Sequence, residues 1–132
     1  MAKTILIVDD DADWVQMISK RLRVNGYQIE AAFDSVQAVS QAIKIKPDLI
    51  LLDILMPAGG GIGVLENLRA NVNTFNTPVI ALTALGDKQT VEAMVELGVS
   101  GYFVKPVDMD KLLEELEKVA VDGYYGRKRS KG

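Results

Sequence analysis

Two residue types are missing altogether from this chain of 132 residues, cysteine and histidine. The first absence removes disulfides and thiolate metal sites. The second removes imidazole as a general base, histidine as a metal ligand and any phosphohistidine formed within the chain, so another protein must supply such chemistry if it operates. Long apolar runs are missing too. None approaches the roughly 20 residues that cross a bilayer, and the opening MAKTILIVDDD lacks the basic, apolar and small-residue sections of a signal peptide. A cytoplasmic location without membrane contact is therefore expected. Neither sign of charge is in large excess. The net value is −3, and Arg127, Lys128, Arg129 and Lys131 against Asp122 make residues 122–132 basic and leave the remainder more acidic than the whole. A body of that sign offers no broad phosphate-contacting face to nucleic acid.

What is present suits one domain, with 48% hydrophobic residues and enough length to bury a core without staples. Residues 1–121 are expected to form it, followed by a basic tail or linker remnant over 122–132. Apolar runs and amphipathic stretches alternate five times, the pattern of βα units around a parallel sheet covered on both faces. The first strand is expected at 4–9, with a helix over 12–25 that turns Val15, Ile18 and Leu22 inward and stops at Asn25-Gly26. QIEAAF at 28–33 alternates and suits an edge strand. A second helix, capped by Asp34 or Ser35, is expected to face Val36, Val39 and Ile43 inward, before Pro47 opens a strand at 48–53. Residues 57–61 read as a flexible loop, and a helix over 62–72 follows with Leu65, Leu68 and Val72 inward. TPVIALT at 77–83 is the fourth strand. Asp87 caps the next helix, which ends at Gly98; a fifth strand lies near 100–104; Asp108 caps the last helix, with Leu112, Leu116 and Val119 inward.

The chemistry gathers at the carboxyl ends of these strands, the edge where open α/β sheets bind ligands. Asp9, Asp10 and Asp11 end the first strand and Asp53 ends the third, and with right-handed crossovers these strands can be neighbours. Converging carboxylates repel each other and raise each other's pKa unless a cation joins them. A hard, oxygen-preferring cation answers that need, and Mg²⁺ would take few protein oxygens and leave room for phosphate. Asp53 then becomes a candidate nucleophile forming an aspartyl phosphate. Thr83 ends the fourth strand with a hydroxyl, and Lys105, just past the fifth, can reach a phosphoryl oxygen as a point charge. Taken singly, these residues read as helix caps, a turn and a surface charge; their joint placement at successive strand ends favours a site.

The ordered set ILIVDD at 5–10, LILLDILMP at 49–57, Thr83-Ala84 and GYFVKP at 101–106 resembles the receiver domain of bacterial two-component response regulators, over residues 4–121. The resemblance implies an α/β fold, a doubly wound five-stranded parallel sheet of order 2-1-3-4-5 in a (βα)5 flavodoxin-like three-layer sandwich. It implies a phosphoacceptor, Asp53, charged by the phosphohistidine of a sensor histidine kinase or a histidine phosphotransfer protein. Mg²⁺ would be held by Asp10 directly, by Asp9 mostly through water, by an Asp53 oxygen and by the backbone carbonyl of Leu55. Thr83 and Lys105 would hold the phosphoryl group, and Tyr102 would swing inward as the Thr83 hydroxyl moves. The Lys105-Pro106 bond is usually cis in such domains. The implied role is a switch in a phosphorelay and not a turnover enzyme, acting on a downstream effector protein or domain through the surface around the fourth helix, fifth strand and last helix. Such a switch is a monomer or a phosphorylation-dependent dimer, either standing alone or cut from a longer regulator.

Some positions depart from the common pattern. Asp11 is an additional acid, assigned to capping the first helix. Gly59, Gly60 and Gly61 stand where Asp-Gly is frequent. Leu55 and Leu85 replace commonly polar residues, which predicts hindrance of an in-line water and a longer-lived phosphorylated state. Trp14 on the first helical turn reads as partial core or as packing at the rim of the site. Among rivals, a flavodoxin-like carrier needs a phosphate loop where three aspartates stand, and a dehalogenase-like phosphatase needs an acid where Leu55 stands. The glycines at 59–61 and 63 do not follow the first strand, nor do they fit a dinucleotide-binding loop.

Overall fold

The computed structural model describes residues 2–55, 60–84 and 86–122. Their elements alternate without exception: β1 (Thr4–Val8), α1 (Ala12–Val24), β2 (Gln28–Ala32), α2 (Ser35–Ile45), β3 (Leu49–Asp53), α3 (Gly60–Ala70), β4 (Val79–Thr83), α4 (Lys88–Glu96), β5 (Gly101–Val104) and α5 (Met109–Asp122). The sheet is parallel throughout, in the order β2-β1-β3-β4-β5. Among the described residues no helix is long and apolar enough to cross a membrane.

The apolar runs become central strands because each has two faces to bury. Leu6, Val8, Ile50, Leu52, Val79 and Ala81 pack with Ala38 and Ala42 of α2, Val64, Leu65 and Leu68 of α3, and Met94 of α4. Their sequence neighbours Ile5, Ile7, Leu49, Leu51, Ile80 and Leu82 point the other way, onto Val15, Ile18 and Leu22 of α1 and Leu112, Leu116 and Val119 of α5. Three layers result, with α1 and α5 on one face and the other helices opposite. Burying each large aliphatic side chain contributes about 1.5–3 kcal/mol, so β1, β3 and β4 form the rigid frame. At the edges, β2 and β5 keep alternating side chains in water, as QIEAAF suggested for β2.

Four of the helices start where an aspartate accepts a backbone N–H. Asp11 caps α1, Asp34 caps α2 and Asp87 caps α4, each through the N–H three residues on. Asp108 accepts from Asp110 and Lys111 ahead of α5. Each such cap contributes about 1 kcal/mol.

Three expectations need correction. Val36 is exposed, because α2 begins at Ser35 and its sheet-facing stripe runs through Ala38 and Ala42, small enough for close approach. Val72 is exposed, because α3 ends at Ala70 and the helical spacing does not continue to it. Gly60 and Gly61 belong to α3 and not to a loop; the rest of that proposed loop, 57–59, and the tail from 123 onward lie outside the described residues. Helix formation at these glycines runs against local propensity, and a tertiary contact explains it. The Gly61 N–H donates to Ile54 O at 2.8 Å, and a Cβ on Gly61 would stand 2.5 Å from both Asp53 O and Ile54 Cα. Only glycine lets α3 rest directly on the backbone after β3.

A paired substitution checks this contact. Gly61→Ala should cost about 2 kcal/mol or more in urea unfolding, since backbone must shift. Gly63→Ala, where a Cβ meets nothing within 4 Å, should stabilise by about 0.5–1 kcal/mol. Equal effects at both positions would remove the close approach from the account.

Candidate functional site

The parallel register brings the ends of β1, β3 and β5 to one edge. Val8 lies beside Leu52, so Asp9 and Asp53 follow on neighbouring strands; Thr83 lies beside Val104, so Lys105 comes next. Alternation along the strands sends Asp9, Asp53 and Lys105 toward the α1/α5 face. Asp9 and Asp53 are buried, whereas Asp10 is exposed. Carboxylate oxygens of all three lie within 4.8 Å of one another.

Each buried acid is held by a local turn. Asp9 Oδ1 accepts the Asp11 N–H at 2.9 Å, and Asp53 Oδ1 accepts the Leu55 N–H at 3.2 Å. The Lys105 ammonium stands between them, 3.4 Å from Asp9 Oδ2 and 3.6 Å from Asp53 Oδ1. Both separations exceed the 2.7–2.9 Å or so of a tight charge-assisted hydrogen bond, so the lysine acts as a shared point charge. Its third neighbour is the Trp14 ring, with the ammonium 5.5 Å from the centroid. The Lys105–Pro106 peptide is cis.

Three carboxylates facing one ammonium leave uncompensated negative charge. The donors are all oxygen, they are close together, and exposed Asp10 leaves one side open to water. That set fits a small hard divalent cation which keeps several of its waters.

The remaining expected residues fall around this centre. Thr83 is buried at the end of β4, and its carbonyl accepts the Lys105 N–H at 2.7 Å. Tyr102 lies beside Ala81 in register, hence on the same sheet face as Thr83 and diagonal to it, with its side chain 40% exposed. Leu55 is half-exposed; Leu85 lies outside the described residues. Asp11 caps α1 as expected, through the Trp14 N–H at 3.2 Å. Trp14 packs partly against the α1/α5 core and stands beside Lys105, which combines the two placements expected for it. Sequence reasoning missed the ring of contacts that links Asp9 to Asp11, Asp11 to Trp14, Trp14 to Lys105 and Lys105 back to Asp9. The Asp-x-Asp spacing and an aromatic in the first helical turn were the available signals.

Known proteins resemble this chain in sequence and fold. A family model described as the response regulator receiver domain matches residues 5–117. The phosphate regulon transcriptional regulatory protein PhoB of Pseudomonas aeruginosa is 37% identical over 119 residues, 90% of this chain and 52% of that protein. The DNA-binding dual master transcriptional regulator RpaA of Synechocystis is 36% identical over 109 residues, 83% of this chain and 45% of its own length. The chain thus spans about half the length of the curated relatives it matches. Among solved structures, the Vibrio cholerae chemotaxis protein CheY4 has a TM-score of 0.84 at 30% identity, with 90% of this chain and 99% of that one covered.

The electrostatics of Asp9 give a measurable consequence. Burial pushes its carboxyl from 3.8 up to about 6, with the Asp53 charge adding to the effect, while the Asp11 N–H and Lys105 hold it back. A folded-state pKa above the unfolded one means that the folded protein binds this proton more tightly. The Asp9 contribution to stability is therefore full below about pH 3.8 and lost as pH rises through about 6. In EDTA, the unfolding free energy of wild type should fall more steeply from about pH 4 to about pH 7 than that of Asp9→Asn. Identical slopes would show that Asp9 is not the titrating group.

Proposed function

The chain belongs to the response regulator receiver domain family, and on that premise we propose that it is a phosphoacceptor module whose Asp53 takes a phosphoryl group from a partner's phosphohistidine. The observation that carries the reading is the position of the Asp53 carboxylate, 3.6 Å from the Lys105 ammonium and grouped with Asp9 and Asp10 at the carboxyl edge of the sheet.

An Asp53 oxygen attacks phosphorus as the P–N bond to the donor imidazole breaks. The imidazole keeps the bonding electron pair, and the product is an acyl phosphate on Asp53. Because the transition state is loose, positioning and charge compensation supply most of the acceleration. Asp10, an Asp53 oxygen and the carbonyl of Leu55 would hold Mg²⁺ directly and Asp9 mostly through water, and the ion would supply charge neutralisation. Lys105 offers a second positive charge to the phosphoryl oxygens, and the Thr83 hydroxyl donates to another. Drawing Thr83 toward the phosphoryl group opens space on its sheet face, and Tyr102 fills that space. The surface of α4, β5 and α5 then exchanges partners, a bistable packing event without turnover of a substrate.

The partners in this reading are a sensor histidine kinase or histidine phosphotransfer protein upstream and an effector protein or domain downstream. The missing histidine fits a chain that receives phosphate from elsewhere. Relatives named as DNA-binding are about twice as long as the stretch they share with this chain, so DNA contact is assigned to what lies outside that stretch. The reading includes a cytoplasmic location, no membrane contact, and a monomer or phosphorylation-dependent dimer.

Acetyl phosphate with Mg²⁺ should add one phosphoryl mass to wild type and none to Asp53→Ala, read by intact-protein mass spectrometry. Lys105→Ala should slow the addition by a factor on the order of 10², the usual effect of removing one preorganised electrostatic partner. Phosphorylation of Asp53→Ala at the wild-type rate would overturn the assignment.

A further inference from the structure

Among the described residues the Lys105 ammonium meets Asp9, Asp53 and the Trp14 ring, and of these the ring is the one that would keep its character when a cation arrives. Asp9 and Asp53 attract the ammonium across 3.4 and 3.6 Å. A divalent ion held by the Asp9, Asp10 and Asp53 carboxylates would weaken their pull on the ammonium and would repel it directly. The Trp14 ring, 5.5 Å from the ammonium, contributes no ligand atom, and the attraction of its face for a cation comes from the ring quadrupole. We infer that Trp14 is a positioning residue, whose indole face retains the Lys105 ammonium beside Asp53 while the cation occupies the carboxylates.

The indole is built to stay where it is. Trp14 is in the first turn of α1, its backbone N–H is held by the Asp11 cap at 3.2 Å, and its ring packs against the core shared by α1 and α5. Asp11 is tied in turn to Asp9 Oδ1 at 2.9 Å. The third aspartate of the triplet therefore anchors the aromatic that steadies the lysine, instead of adding a ligand to the cation site. This inference rests on the phosphoacceptor reading, because Lys105 matters there as the phosphoryl partner.

The chain has one tryptophan, so indole emission comes from the ring at this contact. In EDTA, Lys105→Met should change the emission intensity or maximum relative to wild type; superimposable spectra would overturn the contact. With saturating Mg²⁺, beryllofluoride binding followed by fluorine NMR should weaken about three- to tenfold in Trp14→Leu and much less in Trp14→Phe, which keeps an aromatic face. Mg²⁺ affinity by calorimetry should be the same in all three proteins. Wild-type beryllofluoride affinity in Trp14→Leu, or equal weakening in the Leu and Phe variants, would overturn the positioning role. Failure of wild type itself to bind beryllofluoride would instead overturn the phosphoacceptor reading, while the metal-free emission still tests the Trp14–Lys105 contact.

Discussion

The Lys105 ammonium lies 3.4 Å from Asp9 Oδ2 and 3.6 Å from Asp53 Oδ1, and together with Asp10 those acids crowd three negative charges around a single positive one. Two unit charges about 4 Å apart at an effective dielectric near 20 interact by about 4 kcal/mol. Repulsion of that size is comparable to the burial of about two large aliphatic side chains. The molecule tolerates it because β1 and β3, whose ends carry Asp9 and Asp53, are buried on both faces and paired in a register that cannot slip without turning their side chains to the wrong layer. Stability stored in the centre of the sheet thus maintains an unfavourable charge arrangement at its edge.

Much of this was legible in the sequence. Continuous apolar runs ending in Asp, Asp, Thr and Val-Lys announced buried parallel strands with polar ends, and four aspartates and one asparagine-glycine break marked helix limits. The site residues Asp9, Asp10, Asp53 and Lys105 could be grouped because strand ends are short, strongly patterned and fixed by topology. Helix faces were less legible. Val36 and Val72 have the hydrophobicity of core residues, but α2 starts and α3 stops so that neither meets the sheet. What the sequence concealed most fully were contacts made by backbone. Arg69 donates to the carbonyls of Leu97, Phe75, Thr77 and Gly98, joining α3 to the turns before β4 and β5, and no spacing rule announces four carbonyl partners for one guanidinium.

Gly61 belongs to the same hidden class and bears on the acceptor. Its N–H meets Ile54 O, and its missing side chain allows α3 to touch the carbonyl of Asp53 itself. The Asp53 side chain is steadied from the next position by the Leu55 N–H. The acceptor is therefore gripped from its own backbone on one side and from the turn that follows on the other, which leaves its carboxylate little freedom to escape the charges around it.

The Asp9-Asp10-Asp11 triplet shows how three identical residues divide three tasks. Asp9 is buried by the alternation of β1, which places it in line with Ile5 and Ile7 on the α1/α5 side. Asp10 is turned to solvent and keeps the site open. Asp11 has the extended backbone of a helix cap and serves α1 and, through α1, Trp14. Chemistry alone does not distinguish them; the end of a strand, a turn and the start of a helix do. A one-residue insertion or deletion here would exchange these tasks and put a capping acid in the core, so the spacing of this segment is constrained as tightly as its composition.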